Sequence, residues 1–227
     1  MPGKPLLRPD IELLLSDIDQ ALESRVETLM IGGGAMALRG QKTATKDIDL
    51  VFTEAGRRES FIAGIAGLGF GPLLAPGEPY RKMGARIFRD AAGRWLDLFG
   101  ERICNMFLVH EGVLARATEH LSGRRLRVLL MSPEDIFLSK SVTERDGDLQ
   151  DMRILYDSGL DENRIFDEVA FQAARTDKIW ESFLAVRLGE FEEKFDMTVP
   201  FKARFEEIAL QKMERRYGKK GSGPKDR

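Results

Sequence analysis

Apolar residues recur at Ile11, Leu14, Leu15, Ile18, Leu22 and Val26, the spacing of one helix face, and Asp10 stands where an N-cap belongs. The pattern predicts a helix over 11–25. Residues 28–31 form a short apolar run that enters Gly32-Gly33-Gly34 directly, which predicts a strand followed by a turn. A short helix over 35–39, closed by Gly40, a second strand over 47–52 and a helix over 57–68 come next. Two alternating stretches, 86–89 and 94–99, flank Asp90-Ala91-Ala92-Gly93 and read as a hairpin. A helix over 108–121 and a strand over 126–130 complete this half.

From Ser132 the pattern changes. Ser132-Pro133-Glu134-Asp135 combines a capping hydroxyl, a proline suited to a first turn and acids that complement the helix dipole. Helices are predicted over 133–144, 147–158, 162–174, 177–194 and 201–216, with no convincing strand among them. Phe166, Phe171, Phe183, Phe191, Phe195 and Phe205 fall largely at helical spacings and read as core. The division is a mixed domain over 1–131, a helical domain over 132–217 and a polar tail, 218–227, expected to be disordered. The fold class is α+β: a mixed sheet with flanking helices, followed by a helical C-terminal region.

Composition narrows the function. The chain has 227 residues, with 35 Lys and Arg against 37 Asp and Glu, a net charge of −2. That balance speaks against grip on nucleic acid by bulk positive field, although Arg124, Arg125 and Arg127 or the tail could form a local patch. The single cysteine, Cys104, excludes an internal disulfide framework and fits a reducing compartment. With His110 and His120 as the other soft ligands, a Cys/His zinc cluster is excluded. No apolar run approaches the roughly 20 residues of a membrane span, and the N-terminus lacks an apolar signal core, so the expectation is a cytoplasmic protein without membrane contact.

The chemistry concentrates in Ile31–Phe52, IGGGAMALRGQKTATKDIDLVF. Three glycines between a strand and a helix leave backbone N–H groups uncovered, as a phosphate cradle would require; a tight turn with close helix–strand packing is the alternative reading. On a strand Asp47 and Asp49 share one face, about 7 Å apart, while Ile48 and Leu50 enter the core. Crowded carboxylates need compensation, and an all-oxygen site favours Mg²⁺ or Mn²⁺. Asp97 alternates with Leu96 and Leu98, so a neighbouring strand would bring a third carboxylate to the same place. Lys140 follows the apolar run Ile136-Phe137-Leu138, and Asp148 and Asp151 share a helix face.

A glycine pair, a short helix, basic and threonine residues, Asp-x-Asp on a strand and a later strand acid resemble the polymerase-β-like nucleotidyltransferase superfamily. The segment Lys140–Asp151 points to its small prokaryotic branch that includes abortive-infection toxin nucleotidyltransferases. The similarity spans roughly residues 29–52, 94–99 and 133–155. It implies a nucleotidyltransferase-like sheet and transfer of NMP from an NTP, such as ATP, to an acceptor hydroxyl with release of pyrophosphate. Gly33 and Gly34 would hold phosphates, with Thr45 and Thr43 assisting. Asp47, Asp49 and Asp97 would bind Mg²⁺, Asp97 would help activate the acceptor, and Lys140 would reach the triphosphate. Arg145, Asp148 and Asp151 would support that surface. Many relatives carry Gly-Ser where this chain has Gly33-Gly34-Ala35, so no hydroxyl is offered there. The acceptor could be RNA, a protein or a small molecule such as an aminoglycoside.

Two other readings compete. Gly32-x-Gly34-x-x-Ala37 after a strand, with Glu54 downstream, matches a dinucleotide fingerprint. A partner-binding member of a toxin–antitoxin pair would use the fold without catalysis.

Overall fold

The computed structural model describes residues 5–73, 84–143 and 145–217. The expected disordered tail, 218–227, lies outside the described residues, as does Glu144 at the end of one predicted helix. The chain divides into two compact units, one up to Ser139 and one from Lys140.

The first unit begins with β1 (Leu6–Leu7) and α1 (Arg8–Ala21). The Leu7 amide donates to the Asp10 carboxylate at 2.9 Å, and Ile11, Leu14, Leu15 and Ile18 are buried along one stripe, as the spacing requires. Then follow β2 (Val26–Ile31), α2 (Gly32–Leu38), β3 (Ala44–Thr45), β4 (Ile48–Val51) and α3 (Ala55–Gly67). Next come β5 (Gly71–Pro72), β6 (Arg86–Arg89), β7 (Trp95–Phe99), β8 (Arg102–Ile103) and β9 (Phe107–Leu108). The unit closes with α4 (Glu111–Arg116), β10 (Thr118–Ser122), β11 (Leu126–Leu130) and most of α5 (Pro133–Ser141).

Seven strands form one sheet in the order β10-β11-β2-β4-β7-β6-β5. β11 runs parallel to β2, and β4 parallel to β7; the other neighbours are antiparallel. The sheet is therefore mixed, and the predicted α+β architecture is present. β2 and β4 are antiparallel neighbours joined through α2, so the glycines do not open a βαβ crossover between parallel strands. The dinucleotide-binding alternative built on Gly32, Gly34, Ala37 and Glu54 is overturned on that ground.

One sequence expectation fails. The helix predicted over 108–121 is only Glu111–Arg116; Thr118–Ser122 instead forms the edge strand β10. The physical reason is its position: paired on one side only and largely exposed, Thr-Glu-His-Leu-Ser needs no apolar alternation. The turn before β11 is latched by Asp19, whose carboxylate accepts from the amides of Arg124, Arg125 and Leu126 at 3.0, 2.7 and 2.6 Å. Burial alone would raise the Asp19 pKa, but those three N–H groups outweigh it and hold it below its ordinary value. Arg125 donates to the Leu22 carbonyl, and Arg127 is clasped by Glu27 at 2.5 Å and Glu119 at 2.6 Å. Of the three arginines expected to form a local basic patch, Arg125 and Arg127 are thus engaged in internal pairs, while Arg124 is exposed.

Ser132 caps α5 as predicted: its hydroxyl accepts from the Asp135 amide at 3.2 Å and donates to the Asp135 carboxylate at 2.8 Å. Arg116 grips the same carboxylate at 2.7 and 3.0 Å, which fixes α4 against α5.

The second unit holds α6 (Asp146–Asp157), α7 (Glu162–Ala173), α8 (Trp180–Phe195) and α9 (Lys202–Tyr217). Trp180, Leu184, Leu188, Phe191 and Phe205 are fully buried, and Phe166 stacks on Phe205 at 4.6 Å. Phe183 departs from the expected aromatic core, being 47% exposed. Among the described residues no helix is long and apolar enough to cross a membrane.

Candidate active site

The register of the sheet builds the site. β4 and β7 pair in parallel with Asp49 opposite Asp97, and β2 places Ile31 opposite Asp49 on the other side. Residues in register share a face, so the two carboxylates stand side by side, about 4.8 Å apart at the strand level. On the opposite face Ile48 and Leu50 meet Leu96 and Leu98, all fully buried. Alternation explains both facts: apolar residues drive the strands into the core and so fix which face the acids take. Asp97 is 0% exposed and Asp49 6%.

Asp47 precedes β4 by one residue and is half-buried. Among the described residues no group of three or more His, Cys, Asp or Glu side chains is placed to hold one ion. The expected meeting of three carboxylates is in this structure an adjacent pair, with Asp47 one step along the same strand line. The reason is that Asp47 lies outside the paired register, which begins at Ile48 opposite Leu96.

The glycines abut the same pair. Gly32 has φ +59°, and a Cβ there would lie 2.5 Å from Asp49 Oδ2. A Cβ on Gly33 would lie 2.6 Å from Thr45 Oγ1 and 3.8 Å from Lys42 Nζ. A Cβ on Gly34 would meet the Met30 sulfur at 3.1 Å and the Ile48 Cα at 3.9 Å. Gly34 thus serves close packing of α2 on the sheet, whereas at Gly32 and Gly33 the absence of a side chain lets the Asp49 carboxylate and the Thr45 hydroxyl come close against the backbone. The sequence offered all three glycines as a cradle but assigned the phosphates to Gly33 and Gly34; what sets Gly32 apart is its place as the first residue after the strand, in the left-handed region. Sequence reading passed over Lys42, whose ammonium stands near Gly33.

Gly32→Ala is expected to cost about 1–2 kcal/mol from the left-handed backbone alone. It would also push the Asp49 carboxylate aside, so any rise in melting temperature on adding MgCl₂ should shrink with it. An unchanged rise would show that Gly32 does not seat Asp49.

Thr45 is buried and donates its hydroxyl proton to the Asp47 carbonyl at 2.9 Å, which fixes the turn that delivers both acids to β4. Thr43 is exposed. Arg39, just after α2, donates to the carbonyls of Met131 and, at 3.0 Å, Leu130 and to the Thr118 hydroxyl at 3.0 Å. It ties the motif helix to β11 and β10, and its burial lowers its pKa from the ordinary arginine value.

Lys140 belongs to the second unit, where its ammonium lies 2.6 Å from Asp148 and 2.7 Å from Asp151 and is only 6% exposed. Arg145 and Thr143 also bind Asp148, Arg145 at 3.0 Å. Burial by itself would raise the Asp148 pKa, but the Lys140 and Arg145 charges pull it down to about 2. Burial would likewise depress Lys140, yet the two carboxylates hold it above its ordinary value. The structure thus brings Lys140, Arg145, Asp148 and Asp151 together as one network, with the lysine engaged by the acids.

Hard oxygen donors in a pair fit Mg²⁺, which is commonly held by one or two carboxylates together with substrate phosphates rather than by a closed protein cage. No curated protein matches the chain significantly. A family model described as nucleotidyltransferase of unknown function (DUF6036) matches residues 10–182, which takes in the glycines, both strand acids and the Lys140 network. The chain therefore belongs to this nucleotidyltransferase family.

Proposed function

We propose that the chain is an Mg²⁺-dependent enzyme, with Mn²⁺ as substitute, that moves NMP from an NTP to an acceptor hydroxyl. The observation that carries this reading is the in-register pair Asp49–Asp97 beside Gly32 and Gly33. The acceptor oxygen forms a bond to the α-phosphorus, the α–β phosphoanhydride bond breaks, and pyrophosphate departs. The Gly32–Gly33 backbone and Lys42 receive the phosphates, with Thr45 holding the turn beneath them. Asp49, Asp97 and, at the edge, Asp47 supply the metal-binding oxygens. Asp97 also takes the acceptor proton. A bound divalent cation would neutralise charge building on the transferred group and favour the ionised acceptor oxygen. The Lys140 network supports the helical unit. Ala35 offers no hydroxyl, so the grip falls to backbone N–H groups.

A partner-binding module without catalysis, as in a toxin–antitoxin pair, is less well supported. Burying two like charges side by side costs folding energy, and a protein-binding surface has no use for it.

The test is incubation of the full chain with each α-labelled triphosphate, MgCl₂ and cell extract. Label transferred to one class of acceptor is the expected result, abolished by EDTA. No transfer from any triphosphate would overturn the reading.

A further inference from the structure

The carboxylate row has a continuation that the roles above do not use. β6 pairs with β7 so that Ile87 is opposite Asp97 and Arg89 opposite Trp95. Trp95 and Arg89 therefore share the sheet face of Asp49 and Asp97, one pleat repeat, about 6.8 Å, along the strands. Exposure rises in that direction: Asp97 is 0% exposed, Trp95 is half-buried and Arg89 is exposed. The Arg89 guanidinium lies over the indole, 5.7 Å from the ring centroid. Neighbouring arginines are committed elsewhere, Arg86 to Glu59 at 2.6 Å and Arg94 to Asp90 at 2.5 Å. Among the described residues no carboxylate forms an ion pair with Arg89.

The strand order gives this pair a side. Across β2-β4-β7-β6 the glycines follow β2 at one flank, Asp49 and Asp97 stand on β4 and β7, Trp95 lies on β7 in line with Asp97, and Arg89 lies on β6 at the other flank. Phosphoryl transfer places the attacking and leaving oxygens in line on opposite sides of phosphorus. With pyrophosphate leaving toward the glycines, the acceptor enters from the β6–β7 flank.

We infer that Arg89 and Trp95 form the acceptor wall, and that the acceptor they fit is the terminal nucleotide of a single-stranded RNA; this rests on the transferase reading above. An indole and a planar guanidinium offer a stacking surface for a base, and the exposed cation meets the adjacent phosphate. A polycationic acceptor such as an aminoglycoside would be repelled by Arg89, and a serine or threonine hydroxyl has no need of a stacking face.

The test is fluorescence anisotropy of a short fluorescein-labelled single-stranded RNA with the full chain, with EDTA and with MgCl₂. Trp95→Leu should weaken binding at least about fivefold, and Trp95→Phe should retain it within about twofold. Arg89→Gln should reduce the slope of log affinity against log salt by about one. Stabilisation of the chain by triphosphate and MgCl₂ should be the same in all three variants. Wild-type affinity in both Trp95→Leu and Arg89→Gln, or no binding of RNA by the unaltered chain, would overturn the inference. Label found on protein rather than RNA would do the same. Failure of the transferase reading is separately visible, as absent label transfer and absent triphosphate stabilisation whatever occupies positions 89 and 95.

Discussion

Asp97→Asn is expected to lower nucleotidyl transfer by about two to three orders of magnitude while the chain remains folded. The substitution keeps the shape of a fully buried side chain but removes one of two charges that stand opposite each other on β7 and β4. Asp49→Asn should do the same, because the register sets the two carboxylates side by side and the proposed function assigns both to the cation. Asp47→Asn should cost far less, since Asp47 is half-buried and precedes the paired segment. Steady-state transfer and melting temperature with and without MgCl₂ check this together. In both deep variants the Mg²⁺-dependent rise should vanish, because binding to the native state alone is what raises it. A variant at position 97 that turns over normally would remove the carboxylate pair from the mechanism.

Lys140→Met should be the most damaging single change to stability in the helical unit, costing about 3–5 kcal/mol. It leaves Asp148 and Asp151 buried without the ammonium they now share at 2.6 and 2.7 Å. The corresponding fall in melting temperature is on the order of ten degrees or more. Replacing both acids by asparagine in the same chain should restore part of the loss. Acid dependence has a definite sign. Asp148 is held at about 2 against an ordinary 3.8, so its contribution is present above pH 3.8 and is lost as pH falls from there toward 2. Lys140 is raised above its ordinary 10.5, so its contribution is complete below that pH and fades as pH climbs through the raised value. Circular dichroism melts across this range should show a broad plateau for the natural chain. In Lys140→Met the acid limb should flatten or invert, because burial without the ammonium raises the carboxylates' pKa and protonation then relieves the buried charge. Equal melting temperatures at neutral pH would show that the network carries no stability.

Much of the fold could be read before any coordinates. The motif Ile31–Phe52 is contiguous, and its strand–glycine–helix–strand order follows from local pattern alone. Asp97 could be placed on the correct face because Leu96 and Leu98 bracket it. Pairing was another matter: nothing local says that Asp49 lies opposite Asp97 rather than Phe99, since register depends on the whole sheet. Thr118–Ser122 escaped because an edge strand can be polar on both faces. The small hairpin of β8 and β9 escaped too; its turn uses Cys104 and Asn105 at φ 52° and 56°, and a cysteine gives no turn signal. In the helical unit the shared face of Asp148 and Asp151 was visible from spacing, but that Lys140 would fill the gap between them depends on tertiary burial.

The parallel alignment of β4 with β7 joins strands separated by the whole of α3, β5 and β6. A polypeptide ending before Trp95 would contain the glycine motif and two of its acids, yet own no working centre. Under the proposed function, transfer would therefore depend on long-range strand association, and a turnover assay during refolding would time the closure of the sheet more directly than any measure of helix content.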